Sequence, residues 1–283
     1  MANEITVTQL AGSLPDVVRR KALKARYARA KIVPKVMSVD ADVANFGDRV
    51  SVSIIPTVSV NNVGTGGSVT RQQLSITSVE VLIDKWKECT VDIDDQAVKQ
   101  SALATLTEFS EGFGKALAKQ QDVDLASLYS SITTNVVGTG SDPLDDAMVR
   151  AARLKLDKAD IPEEDRMWFL SPDAHADLLA LARFTEAQAT GLARGLQVEN
   201  GLVKGLYGDP VYVCNNIQTS SNVKMNIYTH KEALAVGTQR NFKTRELAKV
   251  QLSTAICADI MYGVKVVREG HAVLVKSREN TDS

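Results

Sequence analysis

The chain has 283 residues, enough for about two domains of ordinary size, and 44% of them are hydrophobic and 24% charged. These values argue against an intrinsically disordered protein, and no apolar run approaches the roughly 18 residues that cross a bilayer, which argues against a membrane protein. The formal net charge of −1 indicates neither a strongly basic nor a strongly acidic protein, but the charge is spread unevenly along the chain.

The first segment is basic and the remainder is mildly acidic. Residues 1–35 contain eight Lys or Arg and two acidic residues, a net charge of +6, whereas the other residues contain 25 basic and 32 acidic residues, a net charge of −7. The cations alternate with apolar residues at approximately helical spacing between Pro15 and Pro34. Such an arm can dock on its own body, contact another subunit, or bind nucleic acid or a membrane surface. The candidate contact residues of the arm are Arg19, Arg20, Lys21, Lys24 and Arg26.

The next segment, residues 50–83, has the composition of β-strands. It is rich in Val, Ile, Ser and Thr, and its only charged residues are Arg71 and Glu80. Asn and Gly at 61–67 predict a turn, and a change of alternation near Thr77 and Ser78 predicts a β-bulge, so we expect a long two-stranded hairpin. Since such a ribbon is marginally stable alone and few charges protect its edges, it is expected to lie on another surface. The candidate contact residues of the hairpin are Val58, Val60, Asn61, Asn62, Arg71, Leu74 and Ile76.

A mixed α and β body follows the hairpin. Asp92, Asp94 and Asp95 are predicted to begin a long helix, because apolar residues recur at helical spacing from residue 98 toward residue 132. Pro143 is predicted to begin a second helix, and Ser171 to cap a third that ends near residue 181. Strands of a mixed sheet are predicted at residues 167–170, 210–213, 225–228, 233–236, 250–255 and 264–267.

The sequence offers no constellation of catalytic, cofactor-binding or metal-binding residues. His175, His230 and His271 are far apart and lack the spacing of a chelating motif, so each is predicted to be a cap or a surface residue. Asp173, His175 and Asp177 would point to different faces of a helix, which argues against a catalytic pair. The glycine clusters match neither the Walker pattern nor the dinucleotide fingerprint. We therefore expect no enzyme.

Three cysteines, Cys89, Cys214 and Cys257, indicate a reducing compartment. They are odd in number and far apart, which fits buried small residues better than disulfides. The first residues carry no basic and apolar leader, so the protein is expected to remain where it is made.

The order of these parts resembles the major capsid proteins of tailed phages, which have the HK97-type fold. A basic arm, a hairpin with few charges, a long helix and a mixed α+β body follow one another in both. The closest local similarities are residues 166–172 (RMWFLSP), 205–216 (GLYGDPVYVCNN) and 262–275 (YGVKVVREGHAVLV). The resemblance implies an N-terminal arm at 1–46, an extended loop at 47–93, and a spine helix with the first part of the peripheral domain at 94–144. It further implies an axial domain at 145–229, return strands of the peripheral domain at 230–257, and final strands of the axial domain at 258–283.

The function that the resemblance implies is a coat protein. Such a protein self-assembles through hexamers and pentamers into the icosahedral head of a bacteriophage and encloses double-stranded DNA without reading its sequence. The expected partners are other copies of the chain, with separate scaffolding and portal proteins and in some phages decoration proteins, but no membrane. Assembly in the host cytoplasm and a final place in the virion are expected. An encapsulin-like compartment is the nearest alternative, and an α+β enzyme or a binding module is a more distant one.

Some shells of this fold are crosslinked by an isopeptide bond between a loop lysine and an asparagine of a neighbour. Residues 36–84 contain no lysine, and Arg71 is a poor nucleophile because its guanidinium stays protonated. A shell held by noncovalent contacts alone is therefore expected.

Overall fold

The computed structural model describes residues 30–40, 47–56, 58–69, 71–94, 104–181, 198–199, 202–203, 205–247 and 253–280. The arm residues Arg19, Arg20, Lys21, Lys24 and Arg26 lie outside this part of the chain. The described strands are β1 (Met37–Ser38), β2 (Arg49–Ile54), β3 (Thr77–Leu82), β4 (Lys85–Asp94), β5 (Val136–Val137), β6 (Arg166–Leu170), β7 (Val198–Glu199), β8 (Leu202–Val203), β9 (Gly205–Leu206), β10 (Asp209–Val213), β11 (Thr219–Ser220), β12 (Val223–His230), β13 (Leu234–Leu247), β14 (Ser253–Val266) and β15 (Ala272–Arg278). The helices are α1 (Ala104–Ala126), α2 (Asp146–Lys158) and α3 (Pro172–Leu179).

A four-stranded sheet in the order β1-β13-β14-β4 carries the long helix α1. Phe113 and Leu117 of α1 pack with Phe242, Ile260 and Tyr262 of β13 and β14. The long strands β13, β14 and β4 are antiparallel, and the short β1 runs parallel to β13. Burial of these aromatic and aliphatic side chains holds the helix on one face of the sheet.

The predicted start of the long helix was wrong. Asp92 and Asp94 lie in β4, which pairs with β14 without interruption from Lys85 to Asp94. Successive side chains of this strand alternate between half-buried and exposed, and Cys89 and Val91 pack toward the cluster under α1. Asp92 and Asp94 therefore lie at the end of a strand, where pairing with a partner about 160 residues later overrides their capping tendency, and Asp95 lies outside the described residues.

A larger mixed sheet has the order β5-β15-β12-β6-β10-β9, with β11 beside β12. Helices α2 and α3 cover one face, where Leu156 and Leu178 pack with Trp168, Tyr228 and Val273. The predicted cap of α3 is confirmed, because the Ser171 hydroxyl accepts a hydrogen bond from the Ala174 N–H at 3.2 Å. Helix α2 begins after Asp145 rather than at Pro143, and the Asp145 carboxylate accepts from the Met148 N–H.

The opposite face of this sheet packs against the end of α1 and the segment that leaves the arm. Ile32 and Val36 from that segment join Leu125 of α1 and Phe169 and Leu274 of the sheet in one buried cluster. The segment 30–36 is therefore part of the core between the two sheets.

Two short connections join the sheets. The chain passes from β12 to β13 through a 3₁₀ turn at Lys231–Ala233, and from β14 to β15 through a second turn at Glu269–His271. Strand β14 runs unbroken from Ser253 to Val266 across the predicted division after residue 257, so residues 258–266 lie in the four-stranded sheet. Likewise, residues 85–93 belong to that sheet rather than to the hairpin.

None of the helices in the described ranges has the length and hydropathy needed to cross a membrane.

Candidate functional site

The base of the predicted hairpin is regular and docked on its own chain. Strands β2 and β3 pair antiparallel over six residue pairs, from Arg49 opposite Leu82 to Ile54 opposite Thr77. The register has no shift at Thr77 and Ser78, so the predicted bulge is absent from this described ladder. Val81 is fully buried and packs with Ala235 and Val267. The base is therefore a fixed part of the folded body.

Gly263 allows the hairpin to lie this close to β14. A Cβ atom at this position would come within 2.0 Å of the carbonyl oxygen of Leu82 and 2.8 Å of its carbonyl carbon. Backbone atoms cannot move aside as a flexible side chain can, so any larger residue would push β3 off the sheet. This glycine sets the position from which the hairpin extends.

Beyond its base, the hairpin exposes apolar side chains. Seven of the ten exposed large hydrophobic residues in the described part of the chain lie between residues 55 and 76, beyond the paired strands β2 and β3. Val60 is 95% exposed and Val69 is 78% exposed. Residues 58–69 and 71–76 form no strand, and only local bonds are seen, such as the Gln72 side chain pairing with the backbone of Ser59 and a turn closed from Gly67 to Gly64. Such a cluster on one protruding segment is typical of a contact surface rather than a core.

All seven hairpin residues singled out from the sequence are exposed in the structure. The structure does not gather them into a pocket within one chain, and their contact with another subunit stays a prediction. Arg71 is the single charged residue among 55–76. The surface of the tip, residues 55–76, therefore consists almost entirely of apolar and uncharged polar side chains.

A second surface, not predicted from the sequence, lies on the four-stranded sheet opposite α1. Trp86 is 62% exposed there, yet its indole N–H donates to Oδ2 of Asp259 at 3.0 Å. Arg240 and Arg245 bond the same oxygen at 2.9 and 2.7 Å. Burial raises the pKa of Asp259, but hydrogen bonds from Arg245, Arg240 and Trp86 outweigh it and hold the pKa below its ordinary value. The sequence feature that could have indicated this surface is Trp86, a large aromatic residue in a segment where polar and apolar residues alternate.

The exit of the arm is fixed by a buried carboxylate. Asp122 of α1 is fully buried and accepts hydrogen bonds from the backbone N–H groups of Lys31, Ile32 and Val33 at 2.8 to 3.2 Å. Burial raises the pKa of Asp122, and the three N–H groups offset only part of this effect. Lys31 also lines a cavity of about 430 Å³ with Lys115 and Lys119.

The structure corrects the predicted separation of His230 and His271 and the predicted exposure of His175. His230 and His271 are separated by 41 positions, but their ring centroids are 5.8 Å apart because each ends or precedes one of the two connections between the sheets. His230 does act as a cap, with its ring accepting from the Glu232 N–H. His175 is buried in α3 rather than a surface residue.

Solved structures similar to this one come from phages and a related particle. A structure from Mycobacterium phage Che8 has 24% sequence identity and a TM-score of 0.67, with 83% of this chain and 89% of that chain covered. The capsid of cyanophage P-SCSP1u has 14% identity and a TM-score of 0.68, with 87% of each chain covered. A virus-like particle from Pyrococcus furiosus has 12% identity and a TM-score of 0.59, with 92% and 98% covered. These likenesses confirm the predicted α+β HK97-type fold.

Sequence comparison separates the remaining alternatives. Curated proteins give no match to the chain. A family model described as phage capsid protein matches residues 77–268, from the start of β3 to the turn that follows β14. The match includes α1, three strands of the four-stranded sheet and most of the mixed sheet, and it favours a capsid subunit over a cellular compartment or an enzyme. Because it spans about two thirds of the sequence, the chain belongs to the phage capsid protein family and is a structural subunit of a phage shell.

Proposed function

We propose that the chain builds the icosahedral head of a tailed bacteriophage, through hexamers and pentamers, by laying the tip of its hairpin on a neighbouring subunit. The observation that carries this proposal is the concentration of exposed apolar side chains at residues 55–76. In one chain these side chains contact water, whereas Val50 and Val81 in the base of the same hairpin are buried. In a closed assembly, another copy of the same protein can bury the apolar side chains of such a protruding segment.

The energy available from such a contact is large enough to matter. Full burial of one Val, Leu or Ile side chain contributes roughly 1.5–3 kcal/mol. Val58, Val60, Val69, Leu74 and Ile76 all offer such area. Since the cost of ordering a loop opposes this gain, only part of it remains as binding energy. Because the contact is repeated at every subunit of a shell, even a small net binding energy per contact stabilises the assembly.

Removal of the tip tests the proposal. Replacing residues 58–71 by two glycines should leave the body folded, because Val81 and the rest of the hairpin base keep their contacts. The same variant should lose shell assembly. Far-UV circular dichroism and thermal unfolding report folding, and sedimentation with negative-stain microscopy reports shells.

Two matched point variants distinguish an effect of the hairpin tip from the effect of placing a charge at any exposed apolar position. Val60→Asp places a charge in the middle of the tip, and Leu154→Asp places one on an exposed apolar position of α2. We expect the first to block assembly and the second to leave it intact. Shells of normal size and stability from the deletion variant would show that the hairpin is not an intersubunit element.

The arm is proposed to contact acidic surface on a neighbouring subunit more than packaged DNA. Its charge of +6 against −7 for the remainder supports electrostatic attraction between copies. The described end of the arm is held by Asp122, which fixes Lys31 and Ile32 against α1. The residues that carry this proposed contact are Arg19, Arg20, Lys21, Lys24 and Arg26.

The finer parts of the function are also proposals. The shell encloses double-stranded DNA without sequence-specific binding, is assembled in the host cytoplasm and works with separate scaffolding and portal proteins and, in some settings, decoration proteins. The chain has no catalytic role in this scheme. Membership of the capsid family supports these roles, and isolation of particles with their nucleic acid and accessory proteins tests them.

A further inference from the structure

The two connections between the sheets bring three metal-ligating side chains together. His230 ends β12, Glu232 lies in the 3₁₀ turn that follows, and His271 ends the turn before β15. Strands β12 and β15 are hydrogen-bonded neighbours, with Thr229 opposite Ala272. The pairing therefore places His230 beside His271 as a direct result of the topology.

The geometry of this cluster fits one ion. One ligand atom from each of His230, Glu232 and His271 lies within 4.8 Å of the other two. The two rings meet edge to face, with an interplanar angle of 70°. His230 is buried, His271 is half-buried and Glu232 is exposed, so the cluster opens to solvent on the carboxylate side. An ion can enter from that side and be held from below by the imidazoles.

One nitrogen of the cluster lacks a partner. Nδ1 of His271 is buried and makes no hydrogen bond to any residue in the described ranges. Leaving a buried polar atom unpaired costs free energy, and nearly all such atoms in proteins are satisfied. A metal ion would use the lone pair that the present contacts leave unused.

The surroundings orient the other two ligands. Nδ1 of His230 accepts a hydrogen bond from the Glu232 N–H at 3.3 Å, which orients the ring and places the proton of the neutral imidazole on Nε2. An ion can bind Nε2 once this proton has exchanged to Nδ1 and the long hydrogen bond to the Glu232 N–H is broken. Arg268 lies 3.4 Å from Glu232 and competes with a cation for its carboxylate. That ion pair is partly exposed and contributes little, so a divalent ion can displace the guanidinium.

We propose that His230, Glu232 and His271 bind a divalent transition-metal ion of the zinc class, which ties together the two connections between the sheets. Two imidazoles, one carboxylate and a water complete a tetrahedral set familiar for zinc. Ligand atoms in such a set lie about 3.4 Å apart, given bonds of roughly 2.0–2.1 Å. Rotation of the long, exposed Glu232 side chain supplies the needed closure.

A bound ion would act on the angle between the sheets. Its ligands come from both crossings, so it joins the end of β12 to the turn before β15, next to the end of the sheet where Leu234 of β13 pairs with Val266 of β14. Binding to the folded state alone stabilises that state in proportion to the logarithm of metal concentration over the dissociation constant. The ion would thus stiffen the joint between the two halves of the subunit.

Zinc binding to the full-length protein, prepared without a polyhistidine tag, tests this site. After incubation with zinc chloride and desalting, mass spectrometry of the eluate should give about one zinc per chain. His271→Gln and Glu232→Gln should each weaken affinity about tenfold or more, measured by competition with a chromophoric chelator. Zinc should raise the melting temperature of the parent protein and of neither variant.

Two matched controls come from the chain itself. His175→Gln removes the one histidine outside the cluster. Glu163→Gln removes an exposed glutamate that pairs with Arg153, much as Glu232 pairs with Arg268. Both control variants should bind zinc with the parent affinity.

Three results would overturn the proposal. One is unchanged zinc affinity in Glu232→Gln, a variant that is expected to fold normally because Glu232 is exposed. Another is equal loss of binding in the two control variants. The third is a thiolate charge-transfer band after substitution with cobalt, since it would assign the ion to the cysteines.

Discussion

Asp259 concentrates the polar contacts of the sheet face opposite α1 on one carboxylate. Its Oδ2 accepts bonds from Trp86, Arg240 and Arg245, and the Arg240 guanidinium also lies 5.9 Å from the centre of the Trp86 ring. The carboxylate is almost fully buried, whereas its partners are exposed to different degrees. Removing its charge therefore affects three side chains at once.

Asp259→Asn should destabilise the folded subunit by about 1–3 kcal/mol at neutral pH, because charge-assisted bonds are lost. The pKa of Asp259 is below its ordinary value of 3.8 in the folded state, so the ionised form favours folding. This contribution is present above about pH 4 and is lost as the pH falls through the lower folded pKa. Urea denaturation of both proteins between pH 7 and pH 3 should show the gap in free energy of unfolding closing in acid.

Asp48→Asn serves as the control, because Asp48 pairs with Arg49 at an exposed position. It should change the free energy of unfolding much less at every pH. A gap for Asp259→Asn that stays constant down to pH 3 would mean that the charge of this carboxylate does not stabilise the fold.

At the level of elements, the arm and α1 act as one unit. Three consecutive N–H groups at the arm exit bond to Asp122, which replaces the hydrogen bonds that an irregular buried segment would otherwise lose. Residues 31–33 are thus fixed beside the long helix, and the proposed contact of the basic arm begins from this point.

Changing Arg19, Arg20, Lys21 and Lys24 together to Glu should lower the yield of empty shells, even without DNA. Changing the same four residues to Gln should give an intermediate yield, since attraction is lost without repulsion being added. Moderate salt should lower the parent yield as well, because exposed charges are screened over about 8 Å at physiological ionic strength. Light scattering and sedimentation measure the yields. Normal empty shells with a defect only in genome packaging would instead assign the arm to nucleic acid.

Local signals predicted some elements and failed for others, for identifiable reasons. Ser171 before Pro172 marked α3 because capping depends on neighbouring residues. The low charge of residues 50–83 predicted the hairpin, because composition is likewise a local property of the sequence. The helix start predicted from Asp92 and Asp94 was wrong, because β4 pairs with β14, whose residues lie about 160 positions later in the sequence. The predicted bulge failed because only the six pairs at the base form a ladder.

The candidate surfaces divide in the same way. The composition of the hairpin singled out Val60 and Ile76 as contact residues, and both are exposed in one chain, while their contact with another subunit stays a prediction. The Trp86 and Asp259 contact joins residues 173 positions apart, and the histidine pair depends on the order of strands in the mixed sheet. No spacing rule within the sequence can show either arrangement.

At the scale of the whole molecule, the sequence predicts how the shell is held together. Residues 36–84 have no lysine, and Lys85 and Lys87 lie in β4, paired with β14 rather than on the hairpin. Mature particles heated in detergent with reductant should therefore run as one band at the mass of the chain, 30.6 kDa. Unassembled subunits on the same gel provide the reference. A ladder of larger species would mean that a lysine of the body forms a covalent link.

The order of strands also sets when a newly made subunit can join its neighbours. The four-stranded sheet contains β1 and β4 from the first third of the chain and β13 and β14 from the last, and the hairpin base rests on Ala235 and Val267. During synthesis the hairpin emerges long before the strands that support it. Its platform is complete only when residue 267 has been added. Chains that end before residue 267 therefore lack a complete support for the hairpin, and if the hairpin joins subunits as proposed, translation itself keeps unfinished subunits out of the growing shell.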